Sequence, residues 1–264
     1  MGFSAEISVN AATRDAINTA ASGASNGDSL KLTAGTFTFS SQIETDKNIG
    51  LVGDDGGGTI LRKNAACRFF SFKNSNGITN DIKHITFNGN DMGSYQDYYS
   101  AIQYTKKFSG SIINSSFENN KSALGGAIYS FKGFTDHASI QNSIFAKNTS
   151  RGGGAIYFGD PSTVSIQNSI FAKNTIGSSA TYGGGAIYSS NSVNFADFGG
   201  TYFLGNESID FGGANFLERS GSFCAASGDV IFQGNIDKLG PNAIYFANVN
   251  NNNTATISAT SGNT

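Results

Sequence analysis

The sequence predicts an all-β protein, a right-handed parallel β-helix of about nine coils with three short strands in each coil. The first observation is a repeat, because residues 139–149 recur letter for letter as residues 165–175, 26 positions later. The second is the alternation of Phe-x-x-Asn and Gly-Gly-Ala motifs, whose copies are 26 to 32 residues apart. The third is composition, since 34 glycines and few helix-forming residues favour strands and turns.

One short helix is expected near the N-terminus, over residues 10–22. Asn10 is a suitable N-cap, and Ala16, Ile17 and Ala20 place apolar groups on one face. An amphipathic helix here would cover the open end of a β-stack, which is otherwise an unpaired sheet edge. Residues 1–40 are therefore interpreted as the N-terminal cap and first coil.

The segments that follow show the alternation of half-buried strands. Leu30, Leu32, Phe37 and Phe39 alternate with polar residues around a turn at Gly35. The repeat coils begin near residue 82 and continue to 248, and no linker or change of composition interrupts the chain. Residues 1–264 are therefore expected to form a single β-helical domain.

The Phe-x-x-Asn motif places an aromatic and an amide residue at equivalent points of successive coils. Equivalent residues of a β-helix stack in columns about 4.8 Å apart. We expect a buried column of phenylalanine rings and a hydrogen-bonded asparagine ladder in a turn. The motif residues are Phe87, Phe117, Phe145, Phe171, Phe203 and Phe232, with Asn90, Asn120, Asn148, Asn174, Asn206 and Asn235.

The Gly-Gly-Ala motif begins the next strand of each coil. Its glycines permit a positive φ at the corner. The Ile that follows is expected to face inward, and the Tyr after it to face outward in an aromatic stripe of Tyr129, Tyr157, Tyr188 and Tyr245. The three regular copies are Gly125, Gly126, Ala127 and Ile128, then Gly153, Gly154, Ala155 and Ile156, then Gly184, Gly185, Ala186 and Ile187.

These alternating motifs, over residues 82–248, resemble the repeats of the chlamydial-type polymorphic outer membrane proteins. Those proteins are autotransporters with a β-helical passenger and a C-terminal β-barrel. The N-terminal part is similar to the entry coils of pectin-lyase-like β-helices. The resemblance implies display at the cell surface, attachment to a host cell-surface receptor and self-association, with the motif residues as adhesive positions.

The resemblance also sets an expectation about the extent of the chain. The C-terminal coils and the barrel of the family have no counterpart in this sequence. We therefore expect a passenger fragment, for which a membrane anchor would come only from the missing β-barrel.

Two alternatives to an adhesin remain open. Polysaccharide lyases and glycoside hydrolases also use β-helices, but they need clustered carboxylates, and the acids here do not recur at the coil period. The adjacent pair Asp54 and Asp55 lies in a glycine-rich segment, which favours a solvated turn. The second alternative is an inert stalk, against which two irregular segments argue, residues 91–99 and 176–182. The first segment is the candidate binding loop and contains Tyr95, Tyr98 and Tyr99.

Charge and composition limit the possible partners. A net charge of −2 argues against nucleic acid and anionic membrane surfaces. His84 and His137 lack metal-ligand spacing, so no cofactor is expected. Cys67 and Cys224 should lie about five coils apart, too far for a disulfide. The sequence therefore predicts a non-enzymatic chain with two free thiols, for which the resemblance above implies surface display and adhesion.

Overall fold

The computed structural model shows a parallel β-solenoid that winds through three long parallel sheets. The structure describes residues 4–135, 137–177 and 182–247, together with the backbone of 255–259. Each coil contributes one short strand to each sheet, and neighbouring strands come from successive coils. The all-β, parallel β-helical class predicted from the sequence is confirmed.

A single helix covers the N-terminal end of the described stack. Helix α1 (Arg14–Gly23) begins after Thr13, whose hydroxyl accepts a hydrogen bond from the Ala16 amide at 3.2 Å. Ile17, on the inner face of the helix, is fully buried. The predicted helix therefore started too early, because Thr13 rather than Asn10 is the N-cap.

The first sheet contains ten parallel strands, and its first strand precedes the helix. In spatial order the strands are β1 (Glu6–Val9), β2 (Ser29–Leu32), β5 (Gly50–Val52), β8 (Ile82–Lys83), β11 (Ser111–Ile113), β14 (Ser139–Gln141), β18 (Ser162–Gln167), β22 (Val193–Asp197), β25 (Gly221–Ala225) and β30 (Ala255–Ala259).

The second sheet has eight strands and carries the motif phenylalanines. Its strands are β3 (Gly35–Phe39), β6 (Thr59–Lys63), β9 (Thr86–Asn88), β12 (Ser116–Glu118), β15 (Ile144–Ala146), β19 (Ile170–Ala172), β23 (Tyr202–Leu204) and β26 (Ile231–Gln233).

The third sheet also has eight strands and follows the Gly-Gly-Ala corners. Its strands are β4 (Ile43–Thr45), β7 (Phe70–Phe72), β10 (Ile102–Tyr104), β13 (Ile128–Ser130), β17 (Ile156–Phe158), β21 (Ile187–Ser189), β24 (Asn215–Leu217) and β29 (Ile244–Phe246). Two small pairs lie between the second and third sheets, parallel β16 (Thr149–Ser150) with β20 (Thr175–Ile176) and antiparallel β27 (Ile236–Asp237) with β28 (Gly240–Pro241).

Two of the three sheets contain eight strands, so about seven full turns separate the first and last described strands of each. The predicted number of about nine coils was slightly too high, because the residues before β2 form β1 and helix α1 instead of a complete coil.

One apolar core runs through the stack from Val9 to Phe223. The duplicated segments lie on top of each other in register, so that Ile140 pairs with Ile166 and Phe145 with Phe171. Because each inward side chain packs against an identical side chain in the next coil, the cross-section of the core stays the same across the duplicated coils.

Candidate functional site

The motif phenylalanines form a continuous interior column. From Phe87 to Phe232, consecutive ring centroids are 4.7 to 4.9 Å apart and the ring planes lie within 12° of parallel. Every ring before Phe232 is fully buried. The predicted column is confirmed, and its buried members belong to the scaffold because no partner can reach them.

The motif asparagines form a ladder in the turn after the second sheet. Nδ2 of one asparagine donates to Oδ1 of the next at 2.9–3.0 Å, and its backbone amide donates to the same oxygen at 3.0–3.2 Å. Nδ2 also donates to the carbonyl of the motif phenylalanine one coil earlier. The members are Asn120, Asn148, Asn174, Asn206 and Asn235.

The predicted sixth member, Asn90, is outside the ladder. In the later coils the residue before the ladder asparagine is left-handed, as at Asn119 with φ 55°, whereas here Asn90 itself has φ 52°. Its side chain is therefore turned away, donating to the Lys63 carbonyl and accepting from Arg62. As a consequence, Oδ1 of Asn120 is buried without a partner among the described residues.

The two glycines of each corner have different roles. Gly153 has φ 61°, a conformation that glycine adopts without steric cost. Gly154 is not left-handed, but a Cβ at this position would lie 2.0 Å from the carbonyl oxygen of Gly185 in the next coil. The predicted corner with a positive φ is therefore present at the first glycine, whereas the second is required because close approach of two coils excludes a side chain.

The isoleucines after these corners face inward as predicted. Ile128, Ile156 and Ile187 are fully buried, as are the alanines that precede them. In the degenerate fourth copy Asn215 takes the isoleucine position and is fully buried, and both polar atoms of its side chain lack a partner among the described residues. The regular motif residues proposed as adhesive positions thus lie in the packed interior or at backbone corners.

The outward column of the third sheet changes from polar to aromatic along the stack. Its early residues contact each other through polar groups, as Ser71 Oγ donates to Gln103 Oε1 at 3.1 Å. Later ring centroids are 5.0 to 5.6 Å apart. In register, the column reads Glu44, Ser71, Gln103, Tyr129, Tyr157, Tyr188, Phe216 and Tyr245.

The tyrosines of this column face outward and form the predicted aromatic stripe, but they are largely covered. Tyr129 and Tyr157 are 9% and 8% exposed, because the segments between the second and third sheets fold back over them. Burial raises the pKa of Tyr129 to about 12. Tyr188 donates to Glu218, and burial with this carboxylate raises its pKa further.

The candidate binding loop, residues 91–99, forms part of this cover. Tyr98 is 45% exposed, and its ring centroid lies 5.4 Å from that of Tyr129. Tyr95 is half-buried against Gly177, and Nζ of Lys121 lies 4.3 Å from its ring centroid. The loop therefore lies along the stack and does not project freely.

A buried lysine holds the end of this loop. Nζ of Lys63 donates to the Tyr99 carbonyl at 2.7 Å and lies 5.2 Å from the Phe69 ring centroid. The side chain is fully buried, and this burial lowers the pKa of Lys63 to about 7. Lys63 lies two positions after the buried Leu61, so the strand alternation already points it inward, but it was not predicted as a core residue because lysine is rarely buried.

The second irregular segment, residues 176–182, is described only at its two ends, so the rest of that prediction lies outside the described residues. Tyr182 is 37% exposed and lies 5.2 Å from Tyr188. Beyond the other edge of the column, Phe131 is 49% exposed and lies 6.4 Å from Tyr129. We call the exposed rings of Tyr98, Phe131 and Tyr182, which lie around the covered column of Tyr129, Tyr157 and Tyr188, the aromatic surface.

The acidic and metal-ligating groups are dispersed in the described part of the chain. Asp54 accepts the Gly56 amide at 3.0 Å in a turn, and Asp55 lies 3.6 Å from His84. No three His, Cys, Asp or Glu side chains among the described residues are placed to hold a metal ion. Cys67 and Cys224 are both free, as predicted.

A second ladder was not predicted from the sequence. Backbone amides donate to the hydroxyl of the next coil at 3.2 to 3.5 Å, beginning with Ile85 to Ser115. The signal was present in the serine of each Asn-Ser-x-Phe segment, but serine is also common in exposed turns. The ladder contains Ser115, Ser143, Ser169 and Thr201.

Comparison with known proteins confirms the resemblance of the repeats. The model of the Chlamydia polymorphic membrane protein repeat matches residues 114–130 and 142–159. These matches contain two of the phenylalanines and two of the Gly-Gly-Ala corners described above. A search of the curated proteins found no match. In the described residues, no helix is long and apolar enough to span a membrane.

A solved enzyme structure shares the fold. A PL6 family alginate lyase, AlyGC, aligns with a TM-score of 0.59 and 14% identity over 98% of this chain and 40% of the enzyme. ORF18 of Geobacillus virus E2 aligns with a TM-score of 0.47 and 13% identity, over 97% of this chain and 62% of that protein. This chain thus spans less than two thirds of either protein, and at 14% identity the likeness to the lyase concerns the fold alone.

Proposed function

We propose that this chain is an adhesive, surface-displayed region of a polymorphic membrane protein and that its aromatic surface contacts a host-cell receptor. The observation that carries the proposal is the grouping of partly exposed rings from three chain segments around one tyrosine column. Clustered aromatic side chains are typical of protein binding surfaces, where they bury a large area with few rotatable bonds.

The motif residues support attachment indirectly in this proposal. Phe145 and Ile156 are fully buried, so they can affect a receptor only by holding the coils that position Tyr98 and its neighbours. The interruptions of the repeat supply the contacts, because the loop at residues 91–99 carries Tyr98 to the surface.

A polysaccharide-cleaving enzyme is the weaker reading. The alginate lyase shares the fold, but glycoside cleavage needs an acid and a base in a common site. Here Asp54 and Asp55 belong to a turn, and the buried Lys63 donates to a backbone carbonyl. No three His, Cys, Asp or Glu side chains cluster among the described residues, so we propose a non-enzymatic role.

The test is attachment of the purified 264-residue chain to cultured host cells, with a screen for cleavage of uronic-acid and neutral polysaccharides in parallel. We expect saturable attachment and no cleavage. Tyr98→Ala should lower attachment, whereas Tyr202→Ala, an exposed tyrosine on the second sheet, should not. Turnover of a polysaccharide would contradict the proposal, and absence of both activities would favour the inert stalk.

A further inference from the structure

Two arginines meet at Gln42, just before the third sheet begins. Arg14 donates from Nη2 to the Gln42 backbone carbonyl at 2.6 Å, and Arg68 donates from Nη1 to Gln42 Oε1 at 2.9 Å. The Nε atoms of both arginines are buried and have no hydrogen-bond partner among the described residues. The buried Nε cannot reach a ligand in solvent, but Nη2 of Arg68 is not among these buried atoms and donates to no described residue, so the outer end of the planar fork is available.

The positive charge at this corner is only partly balanced. Arg14 pairs at 3.0 Å with Asp15, whose carboxylate is exposed. Glu44 is the acid that acts most strongly on Arg68, but it pairs with Lys73 at 2.7 Å. No described carboxylate lies within the 4.0 Å of an ion pair with Arg68. Partly buried charges are normally paired, so this corner is suited to an incoming anion.

The loop that carries Tyr98 ends, one coil later, next to Arg68. The backbone amide of Phe69 donates to the Ala101 carbonyl at 2.9 Å, and strand β7 after Arg68 pairs with strand β10 after the loop. The exposed ring of Tyr98 lies 5.4 Å from Tyr129. The buried Lys63 adds a further basic group on the inner side, and its Nζ holds the Tyr99 carbonyl.

We infer that this corner binds an acidic glycan, with a sugar ring packed against Tyr98 and its carboxylate or sulfate bound by Arg68 with support from Arg14. The inference rests on the proposed function and names the class of receptor. The planar fork of Arg68 matches the geometry of an oxyanion, and the apolar face of a sugar matches an exposed aromatic ring. The nearby strands β7 and β10 are paired on both sides, so an added peptide strand is disfavoured.

The experiment measures binding of the full 264-residue chain to four trisaccharide or disaccharide probes by calorimetry. The probes are sialyllactose, a glucuronic-acid disaccharide, sulfated lactose and neutral lactose. We expect the acidic probes to bind at least tenfold more tightly than lactose. The carboxylated and sulfated probes distinguish the two sources of the oxyanion.

Matched variants locate the site. Arg68→Gln should reduce affinity for the acidic probe at least tenfold, consistent with loss of a charge-assisted hydrogen bond. Tyr98→Ala should lower the affinity for the same probe. The folded structure should not change, because the ring is exposed. Lys147→Gln removes an equivalent but remote exposed charge and should have no effect.

Several results would overturn the inference. The first is that acidic and neutral probes bind equally tightly. The second is that Lys147→Gln and Arg68→Gln lose the same affinity for the acidic probe. The third is that Tyr98→Ala binds the acidic probe as tightly as the parent chain does. If the chain attaches to cells but binds none of the acidic probes, the glycan class is wrong and the adhesive role stands. If it does neither, the proposed function fails as well. Circular dichroism of Arg68→Gln checks that the variant remains folded.

Discussion

At the scale of single residues, chemical type alone does not tell whether a repeated side chain is scaffold or contact. Phe145 and Phe131 are both phenylalanines near the repeat motifs, but the first is fully buried and the second is half exposed. Phe145 is the inward residue of strand β15, whereas Phe131 follows the end of β13 and lies near the outward Tyr129. Repetition predicted the column of Phe145 correctly, whereas the exposure of Phe131 has no counterpart in other coils.

Replacement of Phe145 by alanine should lower the free energy of unfolding by about 3–5 kcal/mol, because it leaves a cavity between two stacked rings. Phe131→Ala serves as the matched control and should change stability by less than about 0.5 kcal/mol, because the ring is half exposed. Urea unfolding monitored by circular dichroism measures both values. Equal stability of Phe145→Ala and the parent chain would contradict the buried column.

Lys63 should make stability depend on pH. Its pKa of about 7 in the folded chain lies below the ordinary value of 10.5, so between these values the unfolded chain binds more protons. The free energy of unfolding should therefore rise with pH across this window, by at most about 1.4 kcal/mol per unit. Lys63→Met should remove this rise, and the exposed-site control Lys147→Met should retain it, in urea titrations between pH 7 and 10. Parallel curves for both variants would show that Lys63 is not the source.

At the scale of elements, the corners and loops were harder to predict than the strands. The three-strand coil could be predicted from the sequence, because the Phe-x-x-Asn and Gly-Gly-Ala motifs recur from coil to coil. The burial of Tyr129 could not, because it depends on where the loop at 91–99 lies after folding, and that loop has no equivalent in other coils. The start of the asparagine ladder was also missed, because the left-handed residue moves by one position at Asn90.

The glycine corners make an element-level prediction. Gly154→Ala would place a Cβ 2.0 Å from the Gly185 carbonyl oxygen, so two coils must separate and stability should fall by about 3 kcal/mol or more. Gly23→Ala in helix α1 meets no atom within 4 Å and should be neutral or stabilising by up to about 1 kcal/mol. Thermal unfolding of the two variants compares them directly. A small effect of Gly154→Ala would mean that the coils are less closely packed at this corner than described.

At the scale of the whole molecule, the chain is a stack in which each coil contacts its neighbours. Stability of such a stack is approximately a sum over coils and the interfaces between them. The sequence could predict this architecture because the repeat is itself the folding unit. It could not predict the arginine corner at Gln42, since Arg14 and Arg68 come from the helix and a non-repeated coil.

Deletion of residues 149–174 removes one period of 26 residues and joins Asn148 to Thr175 in an unchanged local sequence. The shortened chain should fold cooperatively with one coil fewer, because the phenylalanine and asparagine columns close across the junction. Deletion of residues 149–161, about half a period, should prevent folding because the strands lose register. Circular dichroism and size-exclusion chromatography distinguish a folded rod from an aggregate. Equal behaviour of the two deletions would contradict a coil-by-coil stack.

The central claim is that the repeated motif residues build the scaffold and that the proposed attachment occurs elsewhere on the surface. The most direct measurement is host-cell attachment of Phe145→Leu, which removes a buried aromatic ring and keeps most of its volume. Attachment equal to that of the parent chain is predicted, together with a modest loss of thermal stability. Loss of attachment by a variant whose thermal unfolding is unchanged would contradict the claim and would assign the motif a direct role in receptor contact.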